Sequence, residues 1–283
     1  MASSYLNIII FLLTTLFYYI ALKPSLSYNT LLDPTKYKEY AQNNYMYLAI
    51  YLLLVMILQF MSNTAIISAT CGGNLTENMG SAGVLTFLPW TLIFGVIVLI
   101  LSIYPGFKSA FADVIGYFYV SSSANKILTE LLIDKNIQQK IDSDSTMSPE
   151  KKKSMQSAAD AIIKICGNTS ILINQMVPSN FNEYWNILTP LMKTQYQTEG
   201  EETNDIKNRL FELVVTRDNV GEAMWFMYTG LLLTSIVQLK ITTKGCANNP
   251  KTMEKNYQTF LENEKTNQAN QNLATSTTYT ITS

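Results

Sequence analysis

Leu85-Thr-Phe-Leu-Pro-Trp-Thr-Leu-Ile-Phe-Gly-Val-Ile-Val-Leu-Ile-Leu-Ser-Ile-Tyr104 carries no charge over twenty residues. A bilayer core takes about 20 apolar residues of helix. Lipid offers the backbone no hydrogen-bond partners, so a segment of this kind must be helical. Trp90 and Tyr104 stand near its two ends, where aromatic belts form. Pro89 is read here as lying in the first turn, where a missing N–H costs little. Pro105-Gly106 then stops the helix.

Three more stretches share this character. Residues 5–22 read as a retained span and not a cleaved signal, because no Lys or Arg precedes the apolar core. Residues 45–67 form the second span and 220–239 the fourth. The expected fold is therefore an all-α membrane protein with about four transmembrane helices. Residues 1–104 hold three spans (5–22, 45–67, 85–104), with a polar loop at 23–44. Residues 105–120 form an interfacial or re-entrant segment, too interrupted to cross. Residues 121–219 form a soluble helical insert, and 220–239 the fourth span. Residues 240–283 form a polar tail, with a short helix at 253–265 and irregular chain after about 266.

Inside the insert, Ser148-Pro-Glu150 reads as a helix start. Met155, Ala158, Ala159, Ile162 and Cys166 follow at helical spacing. Residues 181–193 and 203–216 are shorter helices, the latter with Ile206, Leu210, Leu213 and Val214 on one face. Lys151, Lys152 and Lys153 form a basic run, a solvated face or a contact for anionic lipid or capsid protein.

The chain has 283 residues, a net charge of −1 and no histidine. Bulk charge gives no reason to expect nucleic-acid binding. Without histidine, Ser-His-Asp and Cys-His catalysis and His-based metal sites are excluded. No Gly-rich phosphate loop is present. Asp142, Asp144 and Asp160 are the nearest approach to an acidic cluster, and solvation explains them. We expect no enzyme, no cofactor and no metal.

Of the 20 Lys and Arg, 15 fall in the 23–44 loop and the 105–219 region, and five in the tail. The positive-inside rule puts the larger group on the cytosolic side. Cys71 and Cys246 then share the opposite, lumenal side, and a disulfide between them is expected. Asn74-Leu-Thr76 would be a lumenal glycosylation acceptor. Glu222 is read as sitting in the first turn of the fourth span, next to water. Asn7, Thr14, Thr15, Gln59 and Thr91 are polar residues within or beside spans, fit for helix packing or a pathway.

Two further stretches go together. One is Pro89-Trp90, Phe94-Gly95-Val96, Tyr104-Pro105-Gly106-Phe107, Phe111 and Gly116-Tyr117-Phe118. The other is Arg217-Asp218-Asn219-Val220, Glu222, Trp225, Tyr228-Thr229-Gly230, Leu233-Thr234-Ser235 and Cys246. The pairing resembles a membrane-protein family of nucleocytoplasmic large DNA viruses (giant viruses), which carry a lipid membrane beneath an icosahedral capsid. It covers roughly residues 85–120 and 215–255. Phe107 stands where the family pattern has tryptophan, and the first two spans have no clear counterpart.

The resemblance implies a structural virion protein of the viral inner membrane, a minor capsid protein bridging membrane and shell. Its partners would be lipid and capsid proteins, with homo-oligomers in reach. Its site would be the virion internal membrane, reached through a host endoplasmic-reticulum-type membrane during assembly. On this reading Pro105, Gly106, Phe107, Phe111, Gly116, Tyr117 and Phe118 make an interfacial hinge, and replacing Gly106 by valine should impair virion incorporation. Asp218, Glu222, Trp225 and Gly230 make a fourth-span motif. The alternative is a small, viroporin-like ion channel or transporter subunit, for which no internal repeat speaks.

Overall fold

A computed structural model describes residues 5–71, 74–132, 169–243 and 250–276. Among them every element is a helix, and the one β contact is an isolated bridge between Leu132 and Met192. Three helices, not four, are long and apolar enough to cross a membrane: Pro34–Cys71, Leu75–Ile103 and Glu201–Thr243. The stretch Leu6–Leu22 is a shorter apolar helix. Its segments of 12 and 5 residues rise about 25 Å together, short of the roughly 30 Å core.

All three long helices begin well before the boundaries expected from hydropathy. Pro34 sits at the first position of a 38-residue helix. Asp33 precedes it, and its Oδ1 accepts the N–H groups of Thr35 at 2.9 Å and Lys36 at 3.2 Å. These bonds hold the Asp33 carboxyl below the usual carboxylate range. The Asp-Pro pair is thus a helix start inside what reads as a polar loop. The loop also holds a short helix, Tyr28–Leu32, capped by Ser27.

The third helix starts at Leu75, where the Asn74 N–H donates to Glu77 Oε2 at 3.4 Å. Pro89 is consequently inside the helix and not in its first turn. The chain absorbs it with a π-helical segment, Trp90–Gly95, before returning to α-helix at Val96–Ile103. Widened turns of this kind re-satisfy carbonyls that a proline leaves without a partner. The helix ends at Tyr104, whose backbone leaves the helical region.

The chain then continues through a 3₁₀ turn Pro105–Lys108, Ser109–Phe111, a π turn Ala112–Gly116, and the helix Tyr117–Leu131. The fourth apolar stretch has no start of its own at Val220. It is the second half of a 43-residue helix, Glu201–Thr243, because no Gly-Pro break separates it from the amphipathic half. In the tail, helix Pro250–Ser276 runs past Thr266, where composition predicts irregular chain. Its described side chains at 257–269 are nearly all exposed, so the composition correctly denies it a core.

The described chain falls into two compact units. The first holds residues through Phe11, Val55–Thr91 and the chain from Leu231. Its helices are joined by buried amides and hydroxyls. Asn7 Nδ2 donates to Asn63 Oδ1 at 2.6 Å, Asn63 Nδ2 to Thr86 Oγ1 at 2.9 Å, and Gln59 Nε2 to the Asn7 carbonyl at 3.0 Å. Ser62 Oγ donates to Asn7 Oδ1. Cross-helix bonds of this type glue apolar helices, so Asn7 and Gln59 pack helices, one of the two roles read for them. Thr91 is exposed, its hydroxyl 3.7 Å from Met56 Sδ. Ile66, Ile67, Ala82, Val237 and Ile241 form a cluster that Cys71 packs against. Cys71 is disulfide-bonded, and its expected partner Cys246 lies outside the described residues.

The second unit holds Leu12–Leu54 and Leu92–Gly230. Its core gathers Val120, Ala124, Ile127 and Leu131 from one helix and Ile206, Leu210, Phe211 and Val214 from another, with Leu172, Ile173, Phe181, Trp185 and Leu188. The stripe predicted at 206, 210, 213 and 214 is this face, with Leu213 only partly buried. Tyr28 joins from the supposed loop: its ring meets Phe181 and Phe211 edge-on, and its hydroxyl donates to Asn182 Oδ1 at 2.7 Å. Lys151–Lys153, the helix start at 148–150, the stripe to Cys166, and Asp142, Asp144 and Asp160 lie outside the described residues.

Candidate functional site

Four charged side chains from distant parts of the sequence meet inside the second unit. Lys23 follows the first apolar stretch. Lys108 lies in the turn after the third. Asp218 and Glu222, four residues apart and so on one helix face, flank the start of the fourth. The Lys108 ammonium bridges Asp218 Oδ2 at 2.9 Å and Glu222 Oε2 at 2.7 Å. Lys23 donates to Glu222 Oε1, which also accepts the Tyr19 hydroxyl at 3.0 Å. All four side chains are at most 14% exposed.

Glu222 is therefore neither in a first turn nor beside water. It lies in the interior of a long helix, and its charge is matched by lysines and not by a helix end. Two ammonium groups face two carboxylates, so the cluster is neutral. Burial disfavours the Lys108 ammonium, but Glu222 and Asp218 outweigh it and hold the amine well above the ordinary lysine value. For Lys23 burial prevails, and its amine falls below that value despite Glu222. Lys23 is thus the first of the two to release a proton as pH rises.

A second pair lies one helical position away. Arg217 is buried and donates to the Ile173 carbonyl and to Asn174 Oδ1 at 3.3 Å. Its guanidinium is 3.8 Å from Asp113 Oδ1. Burial lifts the Asp113 carboxyl above its usual value against the pull of Arg217.

These contacts bring the two motif stretches together. The backbone at Ala112–Gly116 lies directly on the helix at Arg217–Gly221. A Cβ built on Gly221 would stand 2.7–2.9 Å from the Ala112 N, Cα and Cβ atoms, and one on Gly116 would stand 2.6 Å from the Arg217 carbonyl oxygen. Both glycines are there to let backbone meet backbone. Trp225 Nε1 donates to the Phe107 carbonyl at 2.8 Å, and Phe111 packs edge-on against Trp225.

The segment expected to be a hinge divides by this geometry. Phe107 and Phe118 are exposed, while Phe111, Gly116 and Tyr117 pack inward. A Cβ added at Gly106 would meet nothing within 4 Å, and the residue has no positive φ. Gly106→Val is expected to change stability by less than about 0.5 kcal/mol, as surface substitutions do. Thermal unfolding of the variant in detergent checks this. Gly230, the last residue of the fourth-span motif, lies eight residues beyond Glu222 and outside the cluster.

A cavity of about 180 Å³ opens beside the ion cluster. Lys23, Lys108, Asp218 and Glu222 form part of its wall, with Tyr37, Tyr40 and Asn44. No three carboxylates or cysteines gather as a metal site among the described residues. Sequence reasoning names Glu222 and Asp218 but misses both lysines. The available signal is position: each charge stands within a few residues of an apolar boundary. No family model, curated protein sequence or solved structure matches this chain.

Proposed function

We propose that this chain is a structural membrane protein of a virion. It anchors in the internal lipid membrane through its apolar helices and holds the helical region at 121–219 toward the capsid shell. The observation that supports this best is the joint between Ala112–Gly116 and Arg217–Gly221. Glycine contacts, two sets of ion pairs and a neutral buried cluster make it a fixed support. The viral setting comes from the motif pair at residues 89–118 and 217–246. Capsid proteins and further copies of the chain are the partners, and an endoplasmic-reticulum-type membrane is the site of assembly. A disulfide between Cys71 and Cys246 on the lumenal side completes the topology, with the Lys-rich region on the opposite face.

Cross-linking of purified virions followed by mass spectrometry tests the proposal. Links from Lys193 or Lys151–Lys153 to capsid proteins are expected. Links to core proteins alone would invert the orientation, and absence from virions would end the virion reading. The cavity at the buried Glu222 favours a second reading, a small channel or transporter subunit. Ion flux through reconstituted protein that a folded Glu222→Gln variant no longer supports would carry it. The pairing of every charge within the cluster weighs against it.

A further inference from the structure

The 180 Å³ cavity stands where the four apolar stretches begin or end. Lys23 follows the first, Asn44 and Tyr45 open the second, Pro105 and Lys108 follow the third, and Asp218 and Glu222 open the fourth. In a bilayer such residues lie at headgroup depth. The space is equivalent to roughly six water molecules.

Its wall carries unused hydrogen-bonding capacity of both signs. Asn44 Oδ1 is buried with no partner. Lys108 engages Oδ2 of Asp218, and Oδ1 has no hydrogen bond among the described residues. The rings of Tyr37 and Tyr40, 6.2 Å apart and inclined at 29°, also line the space. Two open acceptors and aromatic rings suit a primary ammonium. The lysines supply the opposite half. Each ammonium has three N–H donors. Lys23 directs one to Glu222, and Lys108 directs two, to Asp218 and Glu222. The remaining N–H groups suit a phosphate oxygen.

We propose that the cavity binds a phosphoethanolamine zwitterion, presented as the headgroup of a phosphatidylethanolamine lipid. The ammonium lies against Asn44, Asp218 and the tyrosines, and the phosphate against Lys23 and Lys108. A neutral cluster accepts a zwitterion without leaving a net buried charge, whereas a simple anion or cation would leave one. A quaternary ammonium has no N–H for Asn44 Oδ1, so phosphatidylcholine fits worse. The inference rests on the membrane reading and not on the virion reading.

The test uses the full chain in nanodiscs of matched acyl composition, with native mass spectrometry of the lipid retained in detergent. Phosphatidylethanolamine is expected to be retained over phosphatidylcholine. Asn44→Leu breaks no hydrogen bond made by the Asn44 Oδ1 atom, so it tests the site without dismantling the cluster. It is expected to reduce retention about tenfold, as for one lost bond to a charged group. Asn44→Gln keeps a neutral amide acceptor and should keep retention well above that of Asn44→Leu. Equal retention of the two lipids, or undiminished retention by a folded Asn44→Leu variant, overturns the proposal. If free glycerophosphoethanolamine, a neutral phosphodiester zwitterion like the headgroup, displaces the lipid at comparable concentration, the site belongs to a soluble zwitterion and the lipid assignment falls.

Discussion

Glu222→Gln is expected to be among the most destabilising substitutions in the chain. The carboxylate answers two buried ammonium groups and a tyrosine hydroxyl at once. The amide keeps the shape and removes the charge. Lys108 retains Asp218, but Lys23 is left in a buried site with no counter-ion. Removing one partner of a buried pair costs about 3–5 kcal/mol, because the remaining charge has lost its compensation without regaining water. For a chain of this size that is a fall in Tm of roughly 5–8 °C. Thermal unfolding of purified protein in detergent measures it. The companion variant Lys23→Met with Glu222→Gln leaves Lys108 paired to Asp218 and should recover much of the loss. Failure of the double variant to recover would show that shape, not charge, sets the cost.

Gly221→Val is expected to disrupt the joint between the two motif stretches. Its new Cβ would stand under 3 Å from three atoms of Ala112, two of them backbone. A side-chain tip can swing away, but backbone on a π turn cannot move without dragging Lys108 and Asp113 from their partners. Overpacking typically costs about 1–3 kcal/mol where side chains can yield. Here the loss should exceed about 3 kcal/mol, since the ion pairs are coupled to the same displacement. Gly221→Ala, which adds the same Cβ alone, should already cost a large part of this. Unchanged unfolding of Gly221→Ala would mean that the two backbones are not in contact.

Much of the architecture follows from local chemistry. The apolar run ending at Tyr104, the stop at Pro105, and the buried stripe of Ile206, Leu210 and Val214 all depend on neighbours within a few turns. Helix boundaries are harder to read because two different patterns share one helix. Residues 203–216 are amphipathic and 220–239 are apolar, and hydropathy alone reads the change as an end. Backbone hydrogen bonding ignores it. Pro89 misleads for a related reason: proline at a first turn is cheap, yet a π turn also accommodates it.

The ion cluster is least legible. Lys23 and Glu222 are 199 positions apart, and nothing local to Lys23 marks it as buried. Asp218 and Glu222 share a helix face, a pattern that solvated helices show equally. Only the shared position of all four charges at apolar boundaries hints at a meeting place.

The balance of that cluster has an electrical consequence. A transmembrane voltage does work of about 2.3 kcal/mol on each elementary charge carried through 100 mV. Lys23, Lys108, Asp218 and Glu222 move as one body whose charges sum to zero, so the field exerts almost no net force on it. A potential across a surrounding bilayer would therefore leave the geometry of the joint unchanged.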